Sequence, residues 1–130
     1  MVKPAVGALL TKAAHACASA RLLLQAEDLE GACNRAYYAM FHAARAALVA
    51  VDATDMGGKT HSGVIAAFGR HLVKEGPLPV ELGRSFNHVE HIRVIADYRD
   101  EAVGADDVSA AINQAETFVA AIRAKFGDPE

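Results

Sequence analysis

The chain of 130 residues lacks several features that would each assign it to a particular class of protein. It has only two cysteines, Cys17 and Cys33, so no disulfide framework is predicted and a reducing cytoplasm fits. No uninterrupted apolar run reaches 18 residues, and the N-terminal segment, broken by Lys12, is a poor signal peptide. A membrane partner is therefore not expected. The formal charge of -3 argues against the broad positive surface of non-specific nucleic-acid binders, but it allows a local basic cleft.

Sequence signatures of metal and phosphate-loop sites are also missing. His88 and His91 have a spacing that two metal ligands can use, but no further ligand completes a pattern and the zinc signature His-Glu-x-x-His is absent. Residues 57–60 resemble the end of a phosphate-binding loop, yet Ala53 stands where that loop needs its first glycine. The sequence therefore predicts no metal and no cofactor.

Runs of alternating β-branched residues are absent, and alanine, the best helix former, dominates. The sequence thus predicts an all-α domain spanning residues 1–130: an up-and-down antiparallel bundle of about five helices, four long and one short. Asp28 is the predicted N-cap of the second helix, and Thr60 or Ser62 that of the third. The predicted helices cover residues 4–26, 28–51, 60–76, 79–99 and about 106–127.

The second helix is predicted to carry one polar stripe, made of Arg35, Tyr38, His42 and Arg45. At 3.6 residues per turn these four positions share a face, whereas a solvated helix face usually holds Glu and Lys instead. Arginines beside aromatic rings indicate either an anion-binding surface or a buried polar network, and the pattern leaves both open. The neighbouring face forms a predicted close-packing seam of Ala36, Met40, Ala44 and Ala47.

The fourth helix is predicted to present a second polar face, made of Arg84, His88, His91 and Tyr98. Arg93 and Asp97 form an i, i+4 pair on another face. Apolar neighbours on both sides place Arg93 in a crowded region, where a guanidinium needs a carboxylate, and Asp97 is the nearest candidate. This pair is interpreted either as a structural ion pair or as part of a functional site.

Three segments, residues 34–45, 59–63 and 93–98, together resemble the HEPN domain, and more narrowly its small stand-alone prokaryotic branch. The resemblance covers essentially the whole chain. It implies an all-helical homodimer, here expected to pair through the face that carries the fourth helix. Family members include metal-independent endoribonucleases and inactive RNA- or nucleotide-binding modules, and many are encoded beside a minimal nucleotidyltransferase as toxin and antitoxin.

The resemblance also indicates where a catalytic motif should lie. Active members use Arg-x4–6-His on a late helix, with two copies facing each other across the dimer. That arginine corresponds to Arg93 here, but the residue five places later is Tyr98, and tyrosine is a poor general base at neutral pH. Arg84 and His91 match the motif spacing on the same helix. A tyrosine that receives AMP in some members corresponds to Asp100 here.

A second copy of the spacing, Arg35 to His42, falls on the second helix, and spacings this short also match by chance. The favoured function is a nucleotide- or RNA-phosphate-binding partner of a nucleotidyltransferase. One alternative is a ribonuclease toxin that uses Arg93 with Tyr98, or Arg84 with His91. The other is a non-catalytic interaction module. The predicted ligand-binding residues are Arg35, Arg93, Tyr38, His42, Arg45 and Asp97.

Overall fold

A computed structural model describes residues 2–58, 60–98 and 103–127, excluding the side chain of Tyr98. Within that part of the chain there is no strand, and the predicted all-α bundle is confirmed. A six-residue π-helix, Gly69–Lys74, directly continues the third helix. The described residues form five α-helices: α1 (Pro4–Gln25), α2 (Leu29–Ala50), α3 (His61–Phe68), α4 (Val80–Tyr98) and α5 (Ala105–Phe126).

Side-chain caps determine where two of these helices begin. The carboxylate of Asp28 accepts a hydrogen bond from the Gly31 amide at 2.9 Å, and the hydroxyl of Thr60 accepts one from the Gly63 amide at 3.0 Å. Each cap satisfies an amide that has no partner inside its helix. Of the two N-caps proposed for the third helix, Thr60 is therefore the one used, and Ser62 lies inside α3.

The central element of the bundle is α2, which packs against α1, α4 and α5. Its buried positions are mostly alanines, and such small side chains let neighbouring backbones approach closely. The predicted seam of Ala36, Met40, Ala44 and Ala47 is fully buried, as expected. The connection between α1 and α2 is only three residues long, so the two helices are antiparallel neighbours. Because so much of α2 is covered, its polar residues are confined to one stripe.

A second part of the core joins α3, α4 and α5 through aromatic rings. Phe68, Phe86 and Phe118 meet with ring centroids 5.1 to 5.7 Å apart, and all three are fully buried. From α5, Val108, Ile112 and Ile122 are also fully buried. In α1 the buried residues include Ala16 and Ala20, whereas Leu24 is only partly covered.

Candidate functional site

The polar stripe predicted on α2 forms a continuous row of side chains. The guanidinium carbon of Arg35 lies 5.0 Å from the ring centroid of Tyr38, and the Tyr38 ring lies 6.2 Å from that of His42. Arg45 is exposed and stands 6.0 Å from the ring centroid of Phe41. Cations placed over aromatic faces are attracted by the ring quadrupole, which helps to hold both arginines in position. The structure therefore brings the four predicted residues together.

Three cations act on His42. Burial lowers the pKa of His42 below its ordinary value, and Lys12, Arg35 and Arg45 lower it further in that order. Its buried Nδ1 has no hydrogen-bond partner among the described residues. Lys12 comes from α1, and no sequence pattern predicted that it would join this group. We call Lys12, Arg35, His42 and Arg45 the basic patch.

The basic patch carries positive charge that its surroundings do not neutralise. Among the residues that the structure describes, no carboxylate lies within 4.0 Å of Lys12, Arg35 or Arg45. The hydrogen bond recorded for the Arg35 guanidinium is a long one, 3.4 Å, to the side-chain oxygen of Asn34. Uncompensated cations beside a half-buried imidazole form a surface that favours an anion.

Arg93 is in the opposite situation. Its side chain is 8% exposed, and it donates to both carboxylate oxygens of Glu90, at 2.9 Å each, and to Asp97 at 3.1 Å. The guanidinium also lies over the ring of Tyr37, 4.7 Å from its centroid. The pairing with Asp97 was predicted from the sequence, whereas the bidentate pairing with Glu90 was missed. We call Glu90, Arg93 and Asp97 the ion triad.

Of the two interpretations left open for Arg93 and Asp97, the ion triad favours the structural ion pair. The Arg93 guanidinium already donates hydrogen bonds to the carboxylates of Glu90 and Asp97. A phosphate that bound to Arg93 would have to displace two carboxylates that belong to the same helix and therefore stay beside the guanidinium. The geometry is that of a brace within α4.

An imidazole that the sequence analysis did not single out connects the two sites. His61, the first residue of α3, has Nδ1 2.8 Å from the Tyr37 hydroxyl and Nε2 3.4 Å from the Tyr38 hydroxyl. Its ring also packs against Phe41, with centroids 5.2 Å apart. Burial raises the pKa of Tyr37, and the Glu90 carboxylate raises it further. The only sequence signal for His61 was its place in the segment 59–63.

The remaining residues predicted on α4 lie apart from this cluster. Arg84 and His91 are exposed, and His88 is exposed with Nδ1 2.9 Å from the side-chain oxygen of Gln114. The side chain of Tyr98 and the whole of Asp100 fall outside the described residues. Arg84 and His91 are seven positions apart, about 10 Å along the helix.

The described residues hold no group of three or more His, Cys, Asp and Glu side chains arranged to bind a metal ion. No helix in the described ranges is both long enough and apolar enough to span a membrane. Burial raises the pKa of both thiols, Cys17 and Cys33, to about 11, so neither has the thiolate character of a reactive cysteine.

The amino-acid sequence is similar to those of known proteins. The HEPN domain family matches residues 6–125. A UPF0332 protein of Thermotoga maritima is 38% identical over 110 residues, which cover 84% of this chain and 81% of the relative. The protein of Methanocaldococcus jannaschii named "Putative toxin MJ0605" is 31% identical over 122 residues, covering 94% of this chain and 89% of the relative. UPF0332 protein glr0978 of Gloeobacter violaceus is 38% identical over 90 residues, 69% of each chain. The chain described here belongs to the HEPN domain family.

Proposed function

We propose that this HEPN protein is one member of a toxin–antitoxin-type pair with a nucleotidyltransferase, and that its basic patch binds the phosphate of a nucleotide or an RNA strand. The observation that carries the binding proposal is the row of Arg35, Tyr38 and His42 on α2, with Lys12 and Arg45 close enough to lower the pKa of His42 and no carboxylate of the described residues within 4.0 Å of the three cations. The name of the Methanocaldococcus jannaschii relative, covering most of both chains, supports the toxin context. The proposed location is the cytoplasm, where both ligand classes occur.

The chemistry of the patch suits a phosphate group. A guanidinium presents several fixed donors that match phosphate oxygens, and Arg35 and Arg45 are ten positions apart on α2, or about 15 Å along the axis. That distance is longer than one phosphate, and Lys12 reaches the same stripe from α1. The patch can therefore follow several phosphates of one strand, or hold the phosphates of a single nucleotide at one end.

A binding titration tests this proposal. Fluorescence anisotropy of a fluorescein-labelled decauridylate measures affinity for a strand, and competition by unlabelled ATP measures affinity for a mononucleotide. Three phosphate contacts on a single strand predict that log K falls with log salt with a slope of about -2. Arg35→Gln and Arg45→Gln should each weaken binding about tenfold and make the slope about 0.7 less steep.

The matched control is Lys125→Gln, which removes one exposed cation from α5 that is not part of the basic patch. Equal losses in Lys125→Gln and Arg35→Gln would mean that binding depends on overall charge and not on the patch. Full affinity in the Arg35→Gln, Arg45→Gln double variant would remove the proposed site altogether.

The alternative of a metal-independent endoribonuclease rests on the exposed Arg84 and His91, which have no ion-pair partner in the described residues. The family resemblance implies that two copies of such a motif face each other across a dimer, so this activity is expected to require a homodimer. Incubating the purified protein with total RNA and EDTA tests it. Cleavage that survives the chelator and disappears in His91→Ala supports the nuclease, and a light-scattering mass of one chain contradicts it.

Growth assays test the proposed partner. Expression of the chain should arrest growth, and co-expression of a nucleotidyltransferase encoded beside it should restore growth. Rescue that persists when that enzyme's own catalytic residues are removed would point to binding alone, not to modification of the HEPN protein. Unimpaired growth at high expression would contradict the toxin role.

A further inference from the structure

The hydrogen bonds around His61 decide which way the hydroxyl of Tyr38 points. The Tyr37 hydroxyl is fully buried, and its one hydrogen-bond partner among the described residues is Nδ1 of His61, at 2.8 Å. A buried hydroxyl hydrogen without an acceptor is costly, so Tyr37 donates its hydrogen to Nδ1. Nδ1 of the neutral ring must then carry the lone pair.

A neutral imidazole has one hydrogen on its two nitrogens, so the hydrogen of His61 lies on Nε2. Nε2 is 3.4 Å from the Tyr38 hydroxyl and therefore donates toward the Tyr38 oxygen. With that oxygen accepting, the hydroxyl hydrogen of Tyr38 points away from His61. Tyr38 is only partly buried, and the guanidinium of Arg35 lies 5.0 Å from its ring centroid.

We propose that Tyr38 donates its hydroxyl hydrogen to the phosphate bound at the basic patch, and that His61, held by Tyr37, is the positioning residue that orients this donor. The inference rests on the proposed phosphate site and adds to it a neutral donor beside the Arg35 guanidinium. The ligand class is a phosphate ester, whose oxygens accept from both groups at once.

Nuclear magnetic resonance of the ¹⁵N-labelled protein at pH 8 tests the orientation without any ligand. Two-bond ¹H–¹⁵N correlations distinguish the nitrogen that carries hydrogen from the one with the lone pair, and His61→Asn identifies the His61 signals among the six histidines. A single tautomer with hydrogen on Nε2 is expected. Hydrogen on Nδ1, or a solution-like mixture of both tautomers, would overturn the proposed orientation.

Binding of the labelled decauridylate tests the donor itself. Tyr38→Phe keeps the ring under Arg35 but removes the hydroxyl, and it should weaken binding about tenfold. Tyr37→Phe removes the hydrogen bond that holds His61 but leaves the Tyr38 hydroxyl in place, so it should weaken binding less than Tyr38→Phe does. Equal affinity of Tyr38→Phe and the native chain would exclude the hydroxyl as a ligand donor.

Two substitutions of His61 separate its two nitrogens. A glutamine amide reaches the position of Nε2 and can still donate to Tyr38, whereas an asparagine amide reaches only the position of Nδ1. His61→Gln should therefore retain more affinity than His61→Asn, while circular dichroism checks that both variants are folded. The reverse order would overturn the positioning role.

Failure of this inference can be distinguished from failure of the proposed function. If the native chain binds the decauridylate through Arg35 and Arg45 but Tyr38→Phe has no effect, the patch stands and the Tyr38 donor is excluded. If the native chain does not bind at all, both the phosphate site and the Tyr38 role fail, whatever the tautomer of His61.

Discussion

Removal of Arg93 should destabilise the fold without weakening the phosphate site. Among the described residues, Arg93 donates charge-assisted hydrogen bonds to Glu90, at two oxygens, and to Asp97, and its side chain is 8% exposed. In Arg93→Met the two carboxylates lose their shared counter-charge where they are only 21% and 25% exposed. Two neighbouring negative charges would then remain against the bundle, beside the ring of Tyr37.

The size of the effect follows from that environment. Removing one partner of a buried ion pair typically costs about 3–5 kcal/mol, and the partial exposure of both acids favours the lower end, about 3 kcal/mol. Domains of this size are stable by about 5–15 kcal/mol, so the variant should still fold. With a urea dependence of about 2 kcal/mol per molar, the unfolding midpoint should fall by about 1.5 M.

Urea unfolding followed by circular dichroism measures this change, and a compensated variant provides the control. Arg93→Met combined with Glu90→Gln and Asp97→Asn removes the charges together and should recover most of the lost stability. The decauridylate affinity of Arg93→Met should match that of the native chain below the unfolding transition. A loss of less than 1 kcal/mol together with binding at least tenfold weaker would refute the structural assignment and return Arg93 to the ligand site.

Three further predictions concern single residues. The pKa of His42 is lowered in the folded state, so below the ordinary histidine value of about 6.5 the unfolded chain binds more protons than the folded chain. The free energy of unfolding should therefore decrease as pH falls below that value. Urea titrations at several pH values test this, and the decrease should be smaller in His42→Gln. The thiols of Cys17 and Cys33 each have a pKa of about 11 in the fold, against an ordinary value of 9.0. At pH 8 they should therefore react with a disulfide reagent about 100-fold more slowly in the native protein than in urea. Equal rates would contradict their burial. Glu27 follows α1 with a φ of 65°, a left-handed conformation that suits glycine. Glu27→Gly should therefore raise the thermal unfolding midpoint by the equivalent of about 1 kcal/mol. Glu27→Ala is the control and should bring no such gain.

The helices could be predicted because their signals are local. Apolar spacing, the caps Asp28 and Thr60, and the absence of alternating β-branched runs each depend on a few neighbouring residues. The stripe on α2 followed from helical geometry alone, since residues three, seven and ten positions apart share a face in any α-helix. The π-helix after α3 was not predicted, because an added residue per turn leaves no clear apolar period.

The sequence did not predict that the ion triad would be buried while the basic patch stays open. Lys12 and His61 join the cluster through the packing of α1 and α3 on α2, and contacts between distant segments leave no trace in local spacing. The i, i+4 pairing of Arg93 with Asp97 was visible, yet the choice of Glu90 as its bidentate partner depends on side-chain rotamers within the packed bundle.

Tyr37 and Tyr38 explain how one turn of α2 contacts both the ion triad and the basic patch. Successive helix residues point about 100° apart, so Tyr37 enters the core while Tyr38 remains at the surface. Each ring has an arginine over it, Arg93 at 4.7 Å and Arg35 at 5.0 Å. An incoming phosphate competes mainly with water at Arg35, but at Arg93 it must compete with two tethered carboxylates. The same guanidinium chemistry therefore braces the fold at one ring and remains available to an anion at the next.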